Sequence, residues 1–194
     1  MCIRDSPKTS LPSVEQYANV FEEYAKTNTP VVCFTISLIF SGSFNSAMNA
    51  RELVLEDYPD AEIHVIDSKQ NTVTQALIID QMVRMQKADL PLDLALKNIE
   101  KVIDSARIFF TVGSLDYLQM GGRIGKVAAA AGKIDVKPVI IMKNGDIGLG
   151  GIGRNRNKLK KKVLSVADKY LTEHGKDNFV VSVGYGYDAS EGVS

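Results

Sequence analysis

Val31 to Ile39 reads VVCFTISLI, an apolar run rich in β-forming residues. A strand that apolar needs cover on both faces, which points to a parallel sheet flanked by helices. The segments around it fit that requirement. Ser13 to Lys26 carries Val14, Tyr17, Ala18, Phe21, Tyr24 and Ala25 at helical spacing, and Thr29-Pro30 ends it. The strand is expected over Val31 to Ser37. A helix follows from Ser43 to Asp57, then a strand from Glu62 to Asp67, and helices over Thr72 to Lys87 and Leu92 to Ser105. Such alternation argues an α/β fold with a Rossmann-like, doubly wound first lobe.

The texture changes after Ser105. Strands are expected at Arg107 to Val112, Val136 to Met142 and Phe179 to Gly184, with a basic helix at Asn155 to His174. KNGDIGLGGIG reads as a hairpin-like turn, because Asn144-Gly145 is a strong turn signal. The expected architecture is therefore two-lobed: an N-terminal α/β lobe over 9–105 and a smaller C-terminal α/β lobe over 106–194. Residues 1–8 are expected to be a disordered or non-native leader. The first lobe is expected to be incomplete at its start and the second at its end, which makes the chain a fragment.

Composition excludes several classes. Lys+Arg and Asp+Glu both number 23, so the net charge is zero and nucleic acid is not an expected partner. Cys2 and Cys33 form no disulfide framework, which makes the cytoplasm the default location. No apolar run approaches the roughly 20 residues of a membrane-spanning helix. His64 and His174 form no metal-ligand pattern, and no cofactor is expected.

The strand at Val31 runs into FSGSFNSA, Phe40 to Ala47, where a Ser-Gly-Ser turn gives way to a helix. Such a corner can hold a nucleophile, cradle a phosphate or grip a carboxylate. The order Ile39-Phe40-Ser41-Gly42-Ser43 does not fit the G-x-S-x-G elbow of a hydrolase. Phosphate-loop and dinucleotide-loop patterns are absent. Two readings stay open on these residues. Ser41 or Ser43 caps the helix while Gly42 permits a tight turn; this plain structural role is favoured on the stretch alone. In the other reading, the hydroxyls and the free N–H groups at the helix start form a small anion-binding cluster.

Several ordered stretches bear on that choice. They are TSLPS (Thr9 to Ser13), ISLIFSGSFNSA (Ile36 to Ala47), IDS (Ile66 to Ser68), and LDYLQMGGRIG with DVKP (Leu115 to Gly125, Asp135 to Pro138). Their order and spacing resemble the DegV family of bacterial fatty-acid-binding proteins, which includes the FakB subunits of fatty acid kinase. That family reads T-S-Q-P-S, S-S-x-L-S-G-T-Y-x-S-A, I-D-S, L-x-Y-L-x-x-G-G-R-I and I-K-P. The resemblance runs from Thr9 to about Asn178. It implies a lipid-binding protein that buries a long-chain fatty acid between two lobes and presents its carboxylate to a separate kinase subunit. It implies that Thr9 and Ser41 hold the carboxylate, with Gly42 adding its backbone N–H. Leu11 stands where the family has Gln, Ser43 where it has Thr, and Phe44 where it has Tyr. The resemblance implies a C-terminal histidine motif, H-T-G-P-G, which is expected past the point where this sequence stops.

The chemistry of the residues agrees with that implication. A fatty acid site needs an apolar cavity with a few converging donors at one end. Ile78, Ile79, Met82, Val83 and Met85 are candidates to line it, and each also suits an ordinary core. Arg123, in GGRIG, reads equally as structural or as facing a phosphate or the kinase. The role of Lys137 is open. The basic run from Arg154 to Lys162 reads as a solvated helix face, with kinase docking or transient contact with an anionic membrane as the sharper alternative. The competing function is an enzyme, a small-molecule phosphotransferase or hydrolase using the Ser41 corner, which would show turnover of its own.

Overall fold

The computed structural model describes residues 10–112, 122 and 137–186. The chain falls into two compact units, Met1–Asp67 and Ser68–Ser194.

The first unit contains α1 (Val14–Ala25), β1 (Val31–Thr35), α2 (Ser43–Asp57) and β2 (Ile63–Asp67). A capping box starts α1: Gln16 N–H donates to Ser13 Oγ at 3.2 Å, and Ser13 N–H donates to Gln16 Oε1 at 2.8 Å. The strands pair in parallel, from Val31 opposite Ile63 to Thr35 opposite Asp67. A parallel pair needs a crossover, and α2 supplies it. The core joins Ala18, Phe21 and Ala25 of α1 to Ala47, Ala50 and Val54 of α2 and to Ile63 of β2. Ala47 and Ala50 are fully buried; their small side chains let α1 and α2 approach closely. Arg51 Nε donates to the Ile63 carbonyl at 2.8 Å, fixing α2 to the start of β2.

In β1 the strand stops two residues earlier than the apolar run suggests. Ser37 turns the chain. Its Oγ accepts the Ile39 N–H at 3.3 Å, and its carbonyl accepts the Phe40 and Ser41 N–H groups at 3.0 and 3.2 Å.

The second unit contains α3 (Thr72–Lys87), α4 (Leu92–Ser105), β3 (Ile108–Thr111), β4 (Lys137–Lys143), β5 (Asp146–Gly153) and α5 (Arg156–His174), followed by a 3-10 turn at Lys176–Asn178. Its sheet is antiparallel in the order β3-β4-β5. Asn144 and Gly145 join β4 to β5, both in the left-handed region at φ 53° and 82°, as a two-residue hairpin turn of the favoured twist requires. The rest of the glycine-rich segment is strand, not turn. Val139 pairs with Gly151 and Ile140 with Leu149, so Gly150 forms a bulge. A Cβ there would sit 2.6 Å from Ile141 Cγ1. The helix α5 lies against this sheet through buried Leu159, beside Gly153.

Phe179 to Gly184, expected as a strand, is irregular. It has no ladder partner among the described residues, and Val180, Val181 and Val183 are exposed. β-propensity alone does not hold a strand without a neighbour. No described helix is long and apolar enough to cross a membrane.

Candidate functional site

The Ser37 turn delivers the chain to the start of α2, where Gly42 occupies the N-cap position without a side-chain cap of its own. Ser41 takes over that task. Ser43 N–H donates to Ser41 Oγ at 3.1 Å, and the Ser41 and Ser43 hydroxyls share a hydrogen bond of 2.7 Å. The capping role and the donor cluster are therefore features of one arrangement. Ser43 is buried, whereas Ser41 is half-buried and Gly42 exposed.

Leu11 and Pro12 of the TSLPS segment come to the same corner. Ser46 Oγ, on the first turn of α2, donates to the Pro12 carbonyl at 3.0 Å. Leu11 Cδ2 lies 3.1 Å from where a Cβ on Gly42 would stand. Gly42 has an ordinary φ of −73°, so close approach of Leu11, not backbone strain, is what favours glycine here. Thr9, expected to share the carboxylate with Ser41, lies outside the described residues, as does Arg123.

The IDS motif divides between the units. Asp67 ends β2, and its Oδ1 accepts the Leu38 N–H at 3.3 Å, bracing the loop that leads to Ser41. Ser68 is buried at the start of the second unit, where its Oγ accepts the Gln70 N–H at 3.2 Å. These two residues shape backbone, one in each unit.

Tyr17 of α1 is a contributor that sequence reading placed only in the core face. It packs against the first unit's core. Burial pushes its phenol above the ordinary range; the adjoining Ser43 side chain pulls the other way, and Cys33 adds a smaller push. A phenol so placed stays protonated at neutral pH. Its helical spacing gave an inward direction but nothing about the polar neighbour.

Apolar side chains frame the donors. Leu11, Leu38 and Ile39 are 45%, 52% and 54% exposed. Exposed aliphatic groups beside converging hydroxyls suit an amphiphile with an anionic head. An open groove of about 390 Å³ between α1 and α2 is a poorer candidate: Glu15, Glu22 and Asp57 line it, and none of the corner serines does. Of the helix residues considered as lining, Ile78 and Met82 are buried in the second unit, Val83 and Met85 are half-buried, and Ile79 is exposed. Lys137 opens β4 with an exposed side chain, next to buried Pro138.

Comparison with known proteins gives this geometry a context. The family model for DegV, described as an uncharacterised protein family, matches residues 4–194. The chain is similar to a stearic acid-binding protein from Eubacterium ventriosum, with 70% identity and a TM-score of 0.93, covering 96% of this chain and 64% of that one. It is similar to the Streptococcus pneumoniae Fatty Acid Kinase B3 protein loaded with linoleic acid, with 26% identity and a TM-score of 0.71, covering 86% and 57%. A DegV domain-containing protein from Clostridium perfringens is 29% identical over 178 residues, 91% of this chain and 61% of the relative. The chain thus spans about three fifths of the length of the curated relatives it matches.

Proposed function

Because the chain belongs to the DegV family, we propose that it is a lipid-binding protein which holds a long-chain fatty acid, its carboxylate at the Ser41 corner, and presents that carboxylate to a fatty acid kinase subunit. The observation that carries this reading is the start of α2. There Ser41, the N–H of Gly42 and Leu11-Pro12 of the TSLPS segment are gathered at one place beside exposed aliphatic side chains. Thr9 joins Ser41 and Gly42 as the second hydroxyl ligand. A carboxylate held by hydroxyls and helix N–H groups receives charge-assisted hydrogen bonds without needing an adjacent cation.

The same geometry supports a carrier over an enzyme. Ser41 Oγ already accepts the Ser43 N–H and shares a bond with the Ser43 hydroxyl. Its hydrogen-bond neighbours are not general bases, so it is a poor nucleophile. Phosphorylation belongs to the partner kinase in this account, and Arg123 is placed at that contact or in the structure supporting it. A cytoplasmic location and transient contact with an anionic membrane belong to the same proposal. Cations at Arg154, Arg156, Lys158, Lys160, Lys161 and Lys162, with no acidic residue in the first turn of α5, support the membrane contact. The lobe limits at 9–105 and 106–194 are part of the same proposal.

Acyl-phosphate formation from stearate by a fatty acid kinase catalytic subunit, with and without this chain, tests the presenting role. The expected result is product only when both proteins are present. Hydrolysis of an ester or phosphate panel by the chain alone would support the enzyme reading instead.

A further inference from the structure

A serine hydroxyl is ambivalent: it has one proton to donate and lone pairs that accept. To grip a carboxylate it must point the proton outward. At this corner Ser41 Oγ accepts the Ser43 N–H at 3.1 Å and lies 2.7 Å from Ser43 Oγ. If the Ser43 proton occupies that short contact, both acceptor sites of Ser41 are filled and its own proton has only the outward direction. Ser43 is buried, so water does not compete for its hydroxyl.

We propose that Ser43 is a positioning residue that makes Ser41 a one-way donor toward an anionic headgroup. This rests on the assignment of the carboxylate to Ser41. It goes beyond that assignment by giving the buried hydroxyl at position 43 a directional role that its neighbour at the helix start does not need for folding. In Ser43→Ala the backbone N–H, and with it the cap on Ser41, is retained while the O–H is lost.

The test is calorimetric titration of the 194-residue chain with stearate and with methyl stearate, which has the same acyl chain and no charged head. Wild type, Ser41→Ala, Ser43→Ala and Ser43→Thr are compared, with thermal unfolding of each. Ser43→Ala is expected to weaken stearate binding by about fivefold, the scale of one lost hydrogen bond. Methyl stearate affinity should be unchanged, and Ser43→Thr should restore stearate affinity to within about twofold. The proposal is overturned if Ser43→Ala binds stearate like wild type, if it loses stearate and the ester equally, or if threonine fails to rescue. If Ser41→Ala weakens stearate and Ser43→Ala does not, only the positioning role falls. If Ser41→Ala has no effect, or wild type does not bind stearate, the headgroup assignment falls and takes the positioning role with it.

Discussion

Ser41 has two tasks that a single substitution separates by readout. As the acceptor of the Ser43 N–H it caps α2; as a donor it is proposed to hold a carboxylate. Ser41→Ala should lower unfolding free energy by about 1 kcal/mol, the usual scale of a lost cap, measured by urea denaturation. The same variant should weaken fatty acid binding by about tenfold or more, because a bond to a charged group is lost. A second prediction at this scale concerns pH. Burial raises the Cys33 thiol from 9.0 and the Tyr17 phenol from 10.0. An acid whose folded pKa is raised contributes its full stability below the unfolded value. That contribution is lost as pH rises through the folded value, because the unfolded state releases its proton first. Stability should therefore hold up to about pH 8 and decline from about pH 9 upward. Cys33→Ala should remove the earlier part of the decline, and a stability that climbs above pH 9 would contradict the assignment.

At the scale of elements, the close approach of α1 and α2 depends on Ala47 and Ala50, both with no exposure. Ala50→Leu should cost about 1–3 kcal/mol by overpacking, seen as a lower urea midpoint with an unchanged m-value. In the second unit, Gly145 sits at φ 82° in the β4-β5 turn. Gly145→Val should destabilise by at least about 1 kcal/mol, since a β-branched residue resists that conformation. The helices were legible in the sequence because apolar spacing, Ser13 and the prolines mark them within a residue or two. β1 was legible as an apolar run, but its end was not. Only the hydrogen bonds of Ser37 show why the chain turns before the apolar residues stop. β5 was hidden for the opposite reason. Its glycines suggest a turn, yet β4 supplies a ladder that tolerates them, and Gly150 is needed where Ile141 leaves no room. Phe179 to Gly184 shows the converse, strand-forming residues with no strand beside them among the described residues.

At the scale of the whole molecule, the parallel βαβ arrangement of the first unit and the antiparallel sheet of the second make a mixed α/β protein of the DegV family. The motifs TSLPS and FSGSFNSA were legible as candidates for a shared site, and the structure places Leu11 and Pro12 of the first against Gly42 and Ser46 of the second. What the sequence could not show is that the Ser41 and Ser43 hydroxyls share a hydrogen bond beside the helix cap, since that depends on how the side chains are placed at the start of α2. The central claim is that this chain carries a fatty acid by its carboxylate. Denaturing mass spectrometry of the purified protein, followed by stearate titration of the delipidated wild type and Ser41→Ala, tests it most directly. The account predicts a co-purifying long-chain fatty acid, saturable stearate binding by wild type, and an affinity at least about tenfold lower in Ser41→Ala. No bound lipid together with no stearate binding, or equal affinity in the two proteins, would contradict it.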